Sequence, residues 1–174
     1  MPQRRPSRHP ARRNMHRHPL RRQQRLTRRL TMTTPTTHLR ALRIGFLKQL
    51  EPTLIDPDRI VEALDESVGC NNFDVVGLEE DIDLFVDDDG ALNGSRLNLR
   101  ASIIAHLLGK PAVLFGNAVA LGCDPATGES ISLTDAQIHR LTAGIATRPT
   151  PPIIDQLADG LSAFPGLVAM LRRH

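Results

Sequence analysis

The densest group of chemically active side chains is an acidic run in the middle of the chain. Between Glu79 and Gly90 the sequence EEDIDLFVDDDG carries seven carboxylates, and carboxylate oxygens are the usual ligands of calcium. An EF-hand calcium loop needs its invariant glycine at the sixth position and acidic residues at its first and last positions. With Gly90 as that glycine, the loop would begin at Phe85 and end at Arg96. Neither is acidic, so the sequence excludes an EF-hand.

The end of the acidic run, Asp87-Asp88-Asp89-Gly90, has the composition of a surface turn,. Three adjacent carboxylates leave open a looser divalent-cation site, but a solvated turn is the commoner role of such a run. We therefore expect no metal and no cofactor. We expect Asp87, Asp88 and Asp89 to contact a basic partner.

Asn98 and Arg100 form the most motif-like polar pair, because they stand immediately before an apolar helical stretch. Asn is a strong helix N-cap, and Arg100 could pair with the acidic turn. Alternatively, both residues contact an anion or a partner at the helix N-terminus. The sequence favours the cap, and both residues remain candidate partner contacts.

No spacing of residues indicates catalysis. His106 and His139 lie on predicted helices, and Ser102 precedes His106 by one helical turn, but nothing adds an orienting carboxylate,. Gly109-Lys110 is followed by Pro111, where a phosphate-binding loop needs Ser or Thr,. We therefore expect no enzymatic activity and no catalytic residues.

The charge is distributed very unevenly along the chain. The first 32 residues hold eleven of the 22 basic residues, all Arg, and none of the 19 acidic ones, so the remainder carries a net charge of −8. Residues 1–37 are predicted to be a disordered Arg-rich arm. This arm either contacts nucleic acid, through residues 1–31 alone, or reflects an over-extended gene start with the true start at Met32.

Hydrophobic periodicity predicts an α+β domain over residues 38–146. We expect a small mixed or antiparallel sheet of about four to five strands, with two to three helices packed on it. The strands are expected at 42–46, 50–55, 73–78, 82–86 and 112–121, with a brief pairing at Ser130-Ile131. The helices are expected at 57–68, with Asp56 as N-cap and Gly69 as its end, around 103–108, and after a capping box of Thr134 and Gln137. Residues 147–174 are predicted to be a Pro-led linker and a C-terminal helical tail, which docks on the domain or on a partner.

Cysteine content and hydropathy indicate the compartment. Cys70 and Cys123 are far apart and form no CxxC pair, so we expect reduced, buried thiols and a cytoplasmic protein,. No apolar run reaches the roughly 18 residues of a membrane helix, and no apolar segment of a signal peptide follows the basic N-terminus. We expect no association with membranes.

Four segments carry a resemblance to a known family. They are FDVVGLEEDIDLFVDDDGALNG, NLRAS, VLFGNAVALG and GESISLTDAQI, in this order. Residues 39–141 thereby resemble a bacterial and phage family of domains of unknown function, DUF3846. The resemblance implies a compact α+β fold, frequent association with plasmids and phages, and no assigned catalytic residues.

Three functional hypotheses remain. The first is a non-enzymatic interaction or regulatory domain of a mobile genetic element, with an unknown protein partner. The second is a nucleic-acid-binding protein that acts through the basic arm. The third, an enzyme, requires a pocket that brings Asn98, Arg100 and His106 together with carboxylates.

Overall fold

The computed structural model describes residues 37–47 and 50–173. This part of the chain forms a six-stranded antiparallel sheet and five α-helices, which confirms the predicted α+β class. The strands are β1 (Leu39–Ile44), β2 (Leu50–Ile55), β3 (Phe73–Leu78), β4 (Ile82–Asp87), β5 (Ala118–Cys123) and β6 (Ser130–Ile131). The helices are α1 (Ile60–Val68), α2 (Leu99–Leu107), α3 (Asp135–Ala146), α4 (Pro151–Gly160) and α5 (Pro165–Leu171). Residues 1–36 of the predicted Arg-rich arm lie outside the described residues.

Two antiparallel hairpins flank a central strand in the order β2-β1-β5-β4-β3, and β6 pairs with the end of β5. All of β5 except its last residue is buried. Its Val119 and Leu121 belong to the core beneath α1, whereas Ala118 and Ala120 belong to the core beneath α2 and α3. The sheet is therefore covered by helices on both faces.

The prediction of a strand over residues 112–121 is wrong in its first half. Residues 112–115 run outside the sheet ladder except for one bridge between Phe115 and Leu97. Gly116 has a φ of 72°, a left-handed conformation that favours glycine,, and the strand begins two residues later at Ala118. An apolar run alone cannot show where the backbone leaves the ladder.

The predicted helix ends are largely confirmed. Asp56 caps the first helical segment by accepting the Asp58 N–H at 3.0 Å. Its first turn, Pro57–Arg59, is a 3-10 helix that leads into α1, and Gly69 ends α1 in the left-handed conformation,. Thr134 and Gln137 form the expected capping box of α3,.

Helix α2 is enclosed from two sides. Ile104 and Ala105 face the core on the sheet, and Ile103 packs with Leu157 of α4 and with Leu161, which follows this helix. The C-terminal helical tail thus docks on the domain, at α2, rather than being left free for a partner.

No helix in the described part of the chain combines the length and apolarity that a membrane crossing requires.

The turn between β3 and β4 has an unusual backbone. Glu80 and Asp81 both have positive φ, 67° and 55°, which costs a residue with a side chain roughly 1 kcal/mol or more. Gln137 of α3 stabilises this turn by donating its side-chain amide to the Glu80 and Asp81 carbonyls, at 2.9 and 3.1 Å. Arg140 adds an ion pair to Glu80 at 3.1 Å. Helix α3 therefore fixes the hairpin that carries the acidic run.

Both edges of the sheet are protected against pairing with another chain. Pro52 lies within β2, and proline has no N–H to donate to a further strand,. On β3, the Asp74 carboxylate accepts the Val75 backbone N–H at 2.7 Å. This N–H is thereby occupied, and a charge stands on an exposed edge.

Replacing Asp74 by Val is expected to promote self-association through β3. The change frees the Val75 N–H and removes the edge charge, so sedimentation velocity should show a mass that rises with concentration. Asp74→Asn is the matched control, because it removes the charge but keeps an acceptor for Val75. A concentration-independent mass for Asp74→Val, equal to that of the native chain, would contradict this role of Asp74.

Candidate functional site

Asn98 is a buried junction between three parts of the fold. Its side chain is 1% exposed, and its Nδ2 donates to the carbonyl oxygens of Ile44 at 2.9 Å and Gly116 at 2.8 Å. Its Oδ1 accepts the Ala101 N–H at 3.1 Å, so the predicted N-cap of α2 is confirmed. One amide thus joins the end of β1, the bend before β5 and the first turn of α2.

Ser102 extends this junction. Its Oγ donates to the Asn98 carbonyl at 2.9 Å and accepts the Leu114 N–H at 2.9 Å. The Asn98 N–H in turn reaches the Leu114 carbonyl at 2.8 Å. Arg100, between them in sequence, is half-buried on the first turn of α2. Asn98 and Ser102 therefore serve the fold, and neither is presented to solvent.

Asp87 differs from the two aspartates that follow it. It is half-buried at the end of β4, and its Oδ1 accepts the Asp89 N–H at 3.2 Å. Its Oδ2 accepts the Asn93 side-chain amide at 2.8 Å and the Ser95 hydroxyl at 3.3 Å. Asp87 thus holds the loop that leads from β4 toward α2.

Asp88 and Asp89 are exposed on this loop. The Asp89 carbonyl accepts the N–H groups of Leu92 at 2.8 Å and Asn93 at 2.9 Å. Leu92 is held in a position where 86% of its surface is exposed. We call residues 88–93 the acidic loop: it is fixed by its own hydrogen bonds, and it presents two carboxylates and one large apolar side chain.

Negative charge around the acidic loop affects the nearby thiol. Burial, followed by the Asp87 and Asp65 carboxylates, raises the pKa of Cys70 from 9.0 to about 11,. Burial and the neighbouring Asp83 also raise the pKa of Cys123. Both cysteines are free and half-buried rather than fully buried as expected. Because the thiolate is the reactive form, neither thiol is activated for nucleophilic chemistry.

In the described part of the chain, one of the side chains needed for the enzymatic hypothesis is closed off from solvent. Asn98 is enclosed in the core, while His106 is half-buried on α2 with its Nδ1 2.8 Å from the Ser102 carbonyl oxygen. Within residues 37–47 and 50–173, no three side chains of His, Cys, Asp or Glu are grouped so that they could hold a metal ion. Asp87 instead lines two concavities of about 260 and 310 Å³, and residues of the acidic loop line the smaller one.

Residues 40–146 match the model of the family described as a domain of unknown function, DUF3846. The chain belongs to this family. The match confirms the family that residues 39–141 resemble. No curated protein and no solved structure matches the chain.

Two of the segments that are typical of this DUF3846 domain have the same role, because their side chains hold the fold together. In NLRAS, Asn98 and Ser102 make the junction at the start of α2, and Ala101 is fully buried. In SLTDAQI, Leu133 is buried and Gln137 fixes the β3–β4 turn. The polar side chains of Asn98, Ser102 and Gln137 therefore hold the fold together, whereas the exposed side chains of the acidic loop lie outside these two segments.

Sequence reasoning missed two exposed residues of the DUF3846 domain, one within the acidic loop and one just after it. They are Leu92 and Arg96, which lie in a Gly-containing loop that gives no periodic signal,. It also treated Asp87, Asp88 and Asp89 as equivalent. A signal was available, because Asn93 and Ser95 are typical partners for a carboxylate within a loop.

Substituting Asn98 by Asp is expected to lower the free energy of unfolding by about 3 kcal/mol. Aspartate can still cap α2, but it cannot donate to the Ile44 and Gly116 carbonyls and places a charge beside them. Urea unfolding followed by circular dichroism measures the loss.

The matched control is Asn71→Asp, the same chemical change at an exposed residue, which should alter the unfolding free energy by less than about 0.5 kcal/mol. Equal urea midpoints for the two variants would show that the buried junction contributes no net stability.

Proposed function

We propose that this protein is a non-enzymatic interaction domain that binds a basic protein partner through the acidic loop. The observation that carries the proposal is the exposure of Leu92, Asp88 and Asp89 on a loop whose conformation is already fixed. A preformed loop loses little conformational entropy when it binds. An apolar side chain flanked by charges suits a partner with an apolar pocket and a basic rim.

The charge balance supports a basic partner. The ion pairs within the described residues join Arg40 to Asp135, Arg43 to Glu51 and Arg140 to Glu80. None of these pairs uses Asp88 or Asp89, so the charges of the acidic loop are not neutralised there. The net charge of −8 on residues 33–174 would attract a basic protein over longer distances.

The roles of the polar motif residues support an interaction domain rather than an enzyme. Asn98, Ser102, Thr134 and Gln137 each bond to the backbone of a neighbouring segment or cap a helix. We propose further that this domain acts in the cytoplasm, which its free thiols support,, and that it belongs to a plasmid or phage-derived element, as the family resemblance implies. Genes for replication, integration or phage structure beside its own would support that origin, and a purely chromosomal neighbourhood would oppose it.

Removing the charges or the apolar side chain of the acidic loop is expected to weaken partner capture. One variant, Asp88→Asn with Asp89→Asn, deletes two exposed carboxylates. The other, Leu92→Ala, removes the apolar contact, which costs roughly 1–2 kcal/mol of binding free energy, or about tenfold in affinity. Quantitative pull-down from cells, with the native chain and both variants, measures the effect.

The matched control is Asp155→Asn with Asp159→Asn, which deletes two exposed carboxylates of α4 and leaves the acidic loop intact. A protein captured equally by all variants, or lost equally from the two double variants, argues against the loop. Failure to capture any protein with the native chain argues against an interaction domain.

A second candidate function rests on the eleven Arg residues in the first 32. We propose as the alternative that the basic arm, residues 1–31, binds nucleic acid, with the domain as its folded anchor. Binding to duplex DNA should then weaken with salt, with a log–log slope of roughly −0.9 for each phosphate contacted. Fluorescence anisotropy of the full chain and of a chain lacking residues 1–31 tests this, and equal affinities would exclude the arm.

A further inference from the structure

A cavity of about 310 Å³ lies beside the acidic loop, and none of the loop residues 88–93 lines it. It is an open concavity bordered by the turn after β1, the end of α1, the loop after β4 and the bend before β5. Its walls include Phe46, Val68, Asp87, Arg96 and Asn117. The volume is at the lower end of the range for small-molecule sites, roughly 300–1,000 Å³.

Much of the remaining wall is glycine backbone. Gly94 and Gly116 both have positive φ, 84° and 72°, and both line the cavity. A Cβ on Gly116 would stand 3.6 Å from the Ser95 Oγ and 3.8 Å from the Asp87 Cβ. A side chain at residue 116 would fill part of the cavity close to Asp87. Because this residue is glycine, that space is open to a ligand.

The cavity presents opposite charges that are not paired with each other. The salt bridges between described residues include neither Asp87 nor Arg96. Asp87 accepts hydrogen bonds from three donors, and a carboxylate has about four acceptor sites, so it can accept one more. Arg96 is exposed, and its guanidinium can bind a carboxylate through two parallel hydrogen bonds.

Apolar residues line the same cavity as these charges. Phe46 is half-buried and Val68 is buried, and both line the same cavity. The Asn117 side-chain amide donates to the Val68 carbonyl at 3.0 Å, which fixes the amide and leaves its Oδ1 as a further acceptor. The walls thus combine an anion, a cation, an amide acceptor and an apolar surface.

We propose that this cavity binds a small zwitterion, namely a free α-amino acid with an apolar side chain. Asp87 and the Asn117 Oδ1 accept hydrogen bonds from the ligand ammonium group, and Arg96 binds the ligand carboxylate. Phe46, which is half-buried, contacts the apolar side chain. A ligand of one charge alone leaves either Asp87 or Arg96 without its counter-charge, so the site selects molecules that carry both.

Nitrogen-15 NMR of the full chain titrated with L-leucine tests the proposal. We expect saturable shifts of the Gly94, Gly116 and Asn117 amides, with little change at residues of α4. L-leucinamide lacks the carboxylate and 4-methylpentanoate lacks the ammonium group, and each should bind at least about tenfold more weakly than L-leucine, as loss of a charge-assisted hydrogen bond implies.

Arg96→Gln should weaken L-leucine binding by a similar factor, and Arg172→Gln, which removes the same charge from an exposed residue after α5, should leave it unchanged. Leucinamide binding as tightly as leucine would overturn the zwitterion proposal, as would the absence of saturable shifts at these amides. These outcomes do not depend on Asp88, Asp89 or any protein partner, so the partner proposal stands or falls separately.

Discussion

The buried side-chain amide of Asn98 connects more of this fold than any other polar group described above. An amide enclosed in the core costs several kcal/mol if its hydrogen bonds are not made, and here both its donors and its acceptor are used. The end of β1, the bend at Gly116 and the start of α2 must therefore be placed together. The loop from β4 is fixed at one end by this junction and at the other by Asp87, so the acidic loop has a defined position relative to the sheet.

Helix α2 carries the second constraint, because it has almost no solvent-exposed face. Its Ile104 and Ala105 pack toward the sheet, and its Ile103 would be exposed if α4 and α5 were absent. Small residues line the surfaces against which α2 packs. Ala118 and Ala120 line the sheet beneath α2, and a Cβ built on Gly144 of α3 would stand 3.6 Å from the Ile104 side chain. The C-terminal helices thus complete a core that the domain alone leaves open on one side.

Local signals in the sequence predicted the elements that depend on local physics. The caps at Asp56 and Asn98, the left-handed end at Gly69 and the capping box at Thr134 follow from side chains within a few residues, and all are present. The start of β5 was predicted wrongly, because it depends on long-range pairing, which an apolar run does not encode. The fixed turn at Glu80 and Asp81 likewise depends on Gln137, more than fifty residues away. A single sequence carries no local trace of such a contact.

The carboxylates of the acidic run show why the site was harder to predict than the fold. In sequence, Asp87, Asp88 and Asp89 are equivalent members of one turn, yet burial divides them. Asp87 is half-buried and bonded to three donors, whereas the other two face solvent. The bonds that Asp87 makes are also what fix the loop and bring Arg96 and Leu92 to the surface. The charge that organises the loop and the charges available to a partner are therefore different charges, and only the folded structure distinguishes them.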